Sequence, residues 1–436
     1  MTAAATTRSP AAHPAPAHTP VQGGMFRSLK VRNYRLYAGG QLVSLTGTWM
    51  QRVAQDWLVL QLTNSGTALG VVTALQFGPS LVLGLWGGML ADRGDKRKLL
   101  LATQTGLAIV ALVLGLLDVG GVVRYWHVLV LATALGIISA IDAPVRQSFV
   151  IEMVGRDELA NAVAINSTIF NAGRVLGPVI AGVMISGVGT GSVFLVNALS
   201  SVGVLVALSR MRTTELRPSP QVERARGQLR EGLRYVRGRA DLVLTMVLVC
   251  VIGTFGLNFQ LTTALMAKQV FHHSASGYGL LSAALAVGAC VGAVLAMRRR
   301  RRPTQLFLLG TAVGFAVLEI GAGSMPGFGS TALLLVPTGV VMLTFTTAAS
   351  ASVQLGVEAT MRGRVVALYW VCFMGGTPFG APIVGWVAGA FGPRWGLVGG
   401  GLICLLAALS LGAAIARRRG LRPGELSTRL VAGIHP

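Results

Sequence analysis

The stretch RVAQDWLVLQL, residues 52–62, places two charges inside a long apolar sequence. Arg52 and Asp56 are four positions apart, and this spacing puts two side chains on one face of a helix. Charged groups inside a membrane helix are costly unless they face a cavity or a partner. A carboxylate beside an arginine stays ionised, whereas a carboxylate separated from it in an apolar cavity takes up a proton readily.

Arg174 is a third charge inside an apolar stretch. We predict that Asp56, Arg52 and Arg174 carry proton coupling, because a conformational change that separates the acid from its arginines would load or release a proton. The alternative is a static ion pair with a structural role. Removing one partner of such a pair strands a buried charge and costs about 3–5 kcal/mol.

The composition indicates that membrane helices hold these charges. The chain is 53% hydrophobic and 12% charged, with a mean hydropathy of +0.66. A bilayer-spanning helix needs roughly 20 apolar residues, and such runs recur along the chain as continuous rather than alternating stretches. We predict an all-α membrane protein of twelve spans, near 36–61, 68–91, 99–118, 126–147, 159–185, 192–209, 242–266, 277–297, 304–323, 331–355, 364–390 and 395–415.

The basic residues predict the orientation in the membrane. Of 37 lysines and arginines, 32 lie in alternate segments between the predicted spans, and three (Arg124, Lys268 and Arg394) lie on the other side. By the positive-inside rule both termini are cytoplasmic, and the protein is a multi-pass plasma-membrane protein. The basic residues behind the formal charge of +22 therefore serve to orient the protein in the membrane, and nucleic-acid binding is not expected.

Internal similarity predicts two related halves. GRVLGPVIAG at 173–182 matches GTPFGAPIVG at 376–385 with an offset of 203 residues, and LADR at 90–93 resembles LAMR at 295–298. Such parallel halves are typical of transporters that bind their substrate between them. The predicted organisation is a disordered cytoplasmic tail at 1–30, a six-helix half at 31–209, a linker at 210–240, a second half at 241–415 and a tail at 416–436.

The linker has helical character in its second half. Leu229, Leu233 and Val236 recur at helical spacing among arginines. This pattern predicts a basic amphipathic helix on the inner leaflet, although a solvated linker with helical tendency fits equally well.

The loop GGMLADRGDKRKLL, residues 87–100, resembles the signature loop between the second and third helices of the major facilitator superfamily. The resemblance implies a gate that holds the cytoplasmic side shut, with Asp92 facing a helix end of the other half and Lys96 or Arg97 binding Asp142. The alternative is a basic loop that serves topology alone. The predicted gate residues are Gly88, Asp92, Arg93, Lys96, Arg97 and Asp142.

GRVLGPVIAG resembles the motif that marks proton-coupled exporters of this superfamily, through Gly173, Gly177, Pro178 and Gly182. Proline kinks a helix, and the glycines allow close packing, which we expect against Gly288 and Gly292 of span eight. Generic helix packing is the alternative. One departure is Ala132, which stands where many exporters carry a coupling arginine.

The wider pattern, with GTWMQRVAQDWLV at 47–59 and VGRDELANAVAINSTIFNAGRVLGPVIAG at 154–182, resembles one branch of the superfamily over nearly the whole chain. This is the enterobactin-exporter-like branch, which includes siderophore and multidrug exporters. The resemblance implies proton-driven antiport, or efflux, of a drug, natural product or siderophore by alternating access. An importer or facilitator on the same fold is the alternative. An enzyme is not expected, because the histidines form no nucleophile–base pair and no P-loop is present.

The expected partners are a small-molecule substrate, protons and the lipid bilayer, and the protein is expected to be a monomer. No cofactor or metal is predicted, since the four cysteines lie within spans without paired spacing. The residues predicted to line the substrate cavity are Gln41, Gln51, Trp57, Asn166, Asn171, Asn258, Tyr369 and Trp370.

Overall fold

The computed structural model describes residues 26–217, 228–299 and 302–419. This part of the chain is almost entirely helical, as predicted. The α-helices are α1 Arg32–Thr63, α2 Gly66–Arg93, α3 Lys96–Val119, α4 Tyr125–Ser209, α5 Gln228–Arg237, α6 Ala240–Val251, α7 Phe259–Leu265, α8 Ala275–Arg298, α9 Gln305–Ser324, α10 Phe328–Gly356, α11 Ala359–Gly375, α12 Thr377–Phe391 and α13 Arg394–Arg419. Short 3₁₀ turns span Arg27–Lys30 and Thr213–Glu215, and π-helical turns span Ile252–Gly256 and Met266–Val270.

Helix α4 is 85 residues long and is broken at two glycines. Gly155 has φ 75° and Gly189 has φ 81°, a left-handed conformation that glycine adopts without steric cost. The breaks divide α4 into three stretches at 125–154, 156–188 and 190–209, which we name α4a, α4b and α4c. The fourth, fifth and sixth predicted spans fall on these stretches.

Nine helices or continuous helical runs of the described chain are long and apolar enough to cross a membrane. The undivided α4 is one of the nine, and α1, which carries Arg52 and Asp56, is not among them. Every predicted span falls on helical residues, except for Thr304 at the start of the ninth span and short breaks at 257–258 and at Gly376. Large apolar side chains such as Trp86, Leu199 and Leu333 point outward, as expected where the surroundings are lipid.

Helices α1 to α4 pack against one another, and α6 to α13 form a second packed group. Two helix crossings supply the main contacts between the groups, α4b with α8 and α2 with α12.

Both crossings are backbone contacts that small residues permit. At the α4–α8 crossing, a Cβ atom on Gly182 would lie 2.8 Å from the Ala275 carbonyl oxygen, and one on Gly279 would lie 2.4 Å from that of Pro178.

At the α2–α12 crossing, a Cβ atom on Gly66 would lie 2.7 Å from the Gly385 carbonyl oxygen. A Cβ atom on Gly70 would lie 2.4 Å from the Ala381 carbonyl oxygen. Glycine is therefore required for either pair of helices to approach this closely.

Polar contacts between the groups lie near the same end of the bundle. Lys268 Nζ donates to the Leu60 carbonyl oxygen at 2.5 Å, and Gln269 Nε2 donates to that of Asn64 at 2.9 Å. These contacts involve the end of α1 and the loop that leads into α2. The two helix groups are therefore joined at the end of the bundle opposite Asp92, which lies at the far end of α2.

The linker helix α5 packs against α11. Arg364 forms an ion pair with Glu231 at 2.8 Å, and Val236 is buried while Leu233 is exposed. The predicted helix is therefore present in the linker, and it contacts protein on one side. The remaining linker residues 218–227 lie outside the described residues, as do residues 1–25 and 420–436, on which most of the predicted tails fall.

Candidate functional site

Asp56 is hydrogen-bonded across the two helix groups. The Tyr278 hydroxyl of α8 donates to Asp56 Oδ2 at 2.7 Å, and the Tyr278 and Asp56 side chains are 0% and 9% exposed respectively. The Trp57 ring stacks on the Tyr278 ring with centroids 6.5 Å apart. Tyr278 directly precedes Gly279, so the acid is bonded to the helix that forms the α4–α8 crossing.

The predicted ion pair between Arg52 and Asp56 is wrong. Within the described residues the Asp56 carboxylate bonds to Tyr278, and no ion pair joins it to Arg52. The guanidinium of Arg52 lies over the rings of Trp49 at 4.8 Å and Phe77 at 5.7 Å instead. Both side chains lie on α1, four residues apart, but they have different partners. The Arg52 cation interacts with the aromatic faces of Trp49 and Phe77, and the Asp56 carboxylate accepts a hydrogen bond from the second helix group.

Arg174 lies on α4b, half-buried, and forms no ion pair in the part of the chain that the structure describes. Its neighbour Gly173 packs against α1, where a Cβ atom would lie 3.2 Å from Trp49 Cδ1. Helix α4b, which carries Arg174, therefore packs against α1, which carries Arg52. The Trp49 ring of α1 lies at this contact, beside Gly173 and under the Arg52 guanidinium.

The exporter motif packs on two sides. Gly177 faces α1, where a Cβ atom would lie 2.5 Å from Trp49 Cβ, while Pro178 and Gly182 face α8 at the crossing. The predicted contact between α4b and span eight is therefore present.

The prediction that Gly288 and Gly292 of span eight make this contact is wrong. Cβ atoms on Gly288 and Gly292 would lie 1.9 Å and 2.6 Å from the carbonyl oxygens of Val336 and Val340, both in α10. The small-residue spacing correctly indicated a close helix contact, but it does not specify which neighbour is contacted.

The basic loop after α2 is held by α4. Lys96 is buried and forms an ion pair with Glu152, while Arg97 donates to the carbonyl oxygens of Leu208 at 2.6 Å and Ser209 at 2.9 Å. A cation at a helix C-terminus satisfies carbonyl groups that have no partner within the helix. Arg97 therefore ties the start of α3 to the end of α4c.

Asp142 is not the partner of Lys96 or Arg97, and that prediction is corrected. Its buried carboxylate accepts hydrogen bonds from Thr103 Oγ1 and Gln104 Nε2, both at 2.8 Å, and forms an ion pair with Arg146. Asp142 is too deep in the bundle for the cations of the loop, which meet Glu152 and the end of α4c instead.

Asp92 lies at the end of α2, beside α4. It lines a groove together with Gly88, Ala91, Pro144, Gln147 and Ser148. Gly87, which was not among the predicted gate residues, makes the close approach to α4: a Cβ atom there would lie 2.3 Å from the Ala140 carbonyl oxygen. Arg93, the remaining residue predicted for the gate, is exposed.

The residues predicted to line a cavity have varied surroundings. Gln51 accepts a hydrogen bond from Asn197, Asn258 donates to the Thr254 carbonyl oxygen and Tyr369 donates to that of Thr346. These polar groups are used within the helix packing. Of the others, Gln41 accepts a hydrogen bond from Arg146 and Asn166 accepts one from Tyr34, while Asn171 donates one to the Ser167 carbonyl oxygen. Trp57 is buried and Trp370 is exposed.

Four buried side-chain polar atoms have no hydrogen-bond partner among the described residues, namely Tyr37 Oη, Gln55 Nε2, Arg146 Nε and Glu319 Oε2. Gln55 Nε2 is unpaired, although Gln55 Oε1 lies 3.5 Å from Gln76 Nε2. Glu319 Oε2 on α9 is also unpaired, and the residue is 1% exposed. An acid inside a predicted span was the available signal for Glu319. No cluster of metal-ligating side chains occurs among the described residues.

Comparison with known proteins identifies the family. Residues 18–426 match the transmembrane secretion effector family, a branch of the major facilitator superfamily. The chain belongs to this family. It is therefore a small-molecule transporter rather than an enzyme, and a multi-pass protein of the bacterial inner membrane.

Similar family members include siderophore transporters. The chain is 26% identical over 390 residues to the enterobactin exporter of Shigella flexneri, covering 85% of this chain and 90% of that protein. It is 24% identical over 256 residues to the staphyloferrin A transporter of Staphylococcus aureus, covering 57% of this chain and 63% of that protein.

Solved structures of other transporters share the fold. A bacterial homologue of the human lysosomal transporter Spinster, in an inward-facing and unoccupied conformation, aligns with a TM-score of 0.70 at 17% identity, covering 87% of this chain and 96% of that one. The nucleoside transporter NupG aligns with a TM-score of 0.67 at 13% identity, covering 89% and 99%. At these identities the likeness concerns the fold alone.

Proposed function

We propose that this transporter exports a hydrophobic or amphipathic small molecule, such as a siderophore, natural product or drug, in exchange for protons. The observation that carries the proposal is the hydrogen bond between Asp56 and Tyr278. It joins a buried acid in one helix group to the other group, so any motion that parts the groups changes the surroundings of the acid. The name of the enterobactin exporter supports export, and the names of both that protein and the staphyloferrin A transporter support a siderophore-like substrate.

Two related halves of six helices each would move against each other in this mechanism. The two crossings support that arrangement, because they correspond in sequence. Pro178 and Gly182 lie 203 residues before Ala381 and Gly385, the offset of the internal repeat, and the match of LADR with LAMR relates α2 to α8. Each crossing thus pairs a helix of one half with a helix of the other half, and the repeat relates the helices of the two crossings.

The direction of opening follows from the proposed orientation. With both termini in the cytoplasm, the end of α1, the start of α2 and Lys268 lie on the outer side. The inter-half contacts are concentrated there, so the structure corresponds to a state that is closed outward. The gate loop at Asp92 would close the inner side when the halves rock into the opposite state.

Proton exchange follows the same motion. In the outward-closed state the Tyr278 hydroxyl donates to Asp56, and in the proposed exchange the acid releases its proton to the cytoplasm from this state. When the outer side opens, Tyr278 moves away and Asp56 takes up a proton from outside. Arg52 and Arg174 contribute positive charge near the pathway without pairing directly with the acid.

An importer or facilitator on the same fold is the second candidate. The two differ in the effect of an uncoupler on cells: an exporter's cells accumulate more substrate when the proton gradient is dissipated, and an importer's cells accumulate less.

The test uses inside-out membrane vesicles with and without the protein. Enterobactin, staphyloferrin A and a panel of hydrophobic antibiotics are offered while a proton gradient, acid inside, is imposed. We expect at least one compound to be concentrated in a way that requires both the protein and the gradient. Accumulation that an uncoupler leaves unchanged would contradict proton-driven export.

A further inference from the structure

Glu319 is an acid that the proposed cycle does not use. It lies on α9 in the C-terminal group, is 1% exposed and has one carboxyl oxygen without a partner among the described residues. An isolated ionised carboxylate in such a place carries a very large desolvation penalty, so the resting group carries a proton.

Among the described residues, no cation forms an ion pair with Glu319 that could replace the proton. From α13, Cys404 is the neighbouring titratable group, and Arg394 donates to the carbonyl oxygens of Gly323 and Met325 at the end of α9 instead. Helix α10 and the π-helical turn Ile252–Gly256 contribute no titratable side chain.

The backbone beside Glu319 is irregular. A Cβ atom on Gly400 would lie 3.4 Å from Glu319 Oε1 and 2.6 Å from the Phe255 carbonyl oxygen, which places the carboxyl next to the π-helical turn. In that turn the Leu257 amide donates to the Ile252 carbonyl at 3.0 Å, and the helix then breaks at 257–258. Such turns occur mostly as single-turn bulges and are frequent at functional sites.

The opposite side of the same turn contacts the segment that reaches the other half. Cβ atoms on Gly376 and Gly380 would lie 1.9 Å from Thr254 Oγ1 and 1.7 Å from the Thr254 carbonyl oxygen, so α12 begins in direct contact with the turn. Helix α12 continues to Gly385, where it meets α2. A shift of the turn therefore reaches both the Glu319 carboxyl and the α2–α12 crossing.

We propose that Glu319 is a second proton-binding site, and that it exchanges its proton as the α2–α12 crossing opens and closes. The π-helical turn Ile252–Gly256 transmits the motion, because it is packed between the acid and the start of α12. The link to transport rests on the proposed exporter function, whereas proton binding at Glu319 does not.

The binding test needs no transported compound. The full-length protein in lipid nanodiscs is titrated while the infrared carbonyl band of protonated carboxyl groups is recorded in H₂O and D₂O. We expect a band that is absent in Glu319→Gln, present in Asp56→Asn, shifted in D₂O and weakened as the pH rises. Absence of a Glu319-dependent band, or a band that neither titrates nor exchanges with D₂O, would overturn the proposal.

Labelling of the unaltered chain covers the case in which Glu319→Gln fails to fold. Dicyclohexylcarbodiimide is an apolar reagent that modifies protonated carboxyl groups. We expect mass spectrometry to find the adduct on Glu319, with a rate that falls as the pH rises. No adduct at Glu319 at any pH would count against the site.

The transport test counts protons for each molecule of enterobactin or staphyloferrin A moved by proteoliposomes. We expect Glu319→Gln to lower the ratio by one proton relative to the unaltered protein, and an unchanged ratio would overturn the exchange role. If neither siderophore is moved by the unaltered protein, siderophore export fails, and the infrared titration still decides whether Glu319 binds a proton.

Discussion

The two crossings between the helix groups share a packing geometry and differ in the acid that lies beside them. At each, a glycine faces a carbonyl oxygen at 2.4 Å from the position a Cβ atom would take: Gly279 against Pro178, and Gly70 against Ala381. At the α4–α8 crossing the residue next to Gly279 is Tyr278, which donates a hydrogen bond to Asp56 of the other helix group. At the α2–α12 crossing the nearest acid that we implicate is Glu319, which acts through a π-helical turn.

This difference distinguishes the contacts that allow the helix groups to move from the group that makes the movement depend on protons. Glycine contacts permit two halves to pack closely and to rock without breaking side-chain interlocks, and both crossings provide that. Proton dependence requires a titratable group whose surroundings change during the motion. The α4–α8 crossing provides such a group directly, since the hydrogen bond of Asp56 itself spans the interface.

The largest effect is expected when the shared packing is disturbed. Gly70→Ala and Gly279→Ala each place a methyl group against a backbone carbonyl, so the crossing must separate and near-complete loss of transport follows in both. Initial transport rates in proteoliposomes measure this. Gly203→Ala is the matched control, because a Cβ atom there meets nothing within 4 Å. Full activity in one crossing variant but not the other would break the equivalence.

Asp92→Asn tests the opposite end of the molecule. We expect loss of most transport with unchanged expression and melting temperature, because the inner side would no longer close while both crossings stay intact. Asp157→Asn, an exposed acid on α4, serves as the control. A normal transport rate for Asp92→Asn would remove the gate loop from the mechanism.

Tyr278→Phe separates the hydrogen bond from the packing. The phenyl ring that remains would keep the stack on Trp57, but Asp56 would lose its donor, at about 1–3 kcal/mol, so gradient-driven transport should fall about tenfold. Tyr369→Phe is the control, since that buried hydroxyl donates to Thr346 within one half. Equal losses in the two variants would show a general effect of losing a hydroxyl.

Arg52→Gln should have the smallest effect. Arg52 makes cation–π contacts rather than an ion pair, so its replacement should lower the free energy of unfolding by about 1 kcal/mol. Arg146→Gln strands the buried carboxylate of Asp142 and should cost about 3–5 kcal/mol. Denaturation of the purified variants measures both. A loss of about 3 kcal/mol or more in Arg52→Gln would reinstate a structural pair with Asp56.

The sequence was sufficient to predict which residues are helical, but it did not predict which residues of different helices contact one another. Apolar runs of about 20 residues and the positions of the basic residues are local signals, and the predicted spans fall on helical residues for that reason. The partner of Asp56 is 222 residues away, so no spacing rule could find Tyr278. The same limit explains the errors at Gly288 and Gly292, whose spacing indicates a close contact without naming the neighbour.

The acid that pairs with Lys96 shows a second limit. Asp142 and Glu152 both lie on α4a in the sequence segment expected to meet the loop. Only the depth of each residue in the folded bundle decides that Glu152 reaches Lys96, while Asp142 is enclosed by Thr103, Gln104 and Arg146. Such depth depends on the rotation and tilt of each helix, which a hydropathy pattern does not determine.

Transport by Asp56→Asn tests the central claim most directly. The substitution fixes the acid in a neutral state that resembles its protonated form. In proteoliposomes the substitution is made in the Glu319→Gln protein, so that the second proposed site contributes no proton. Exchange of substrate down its own gradient should survive Asp56→Asn in that background, whereas concentration of substrate driven by a pH gradient should be lost. If this double variant still concentrates substrate against its gradient, Asp56 is not the coupling site and the account of the α4–α8 crossing is wrong.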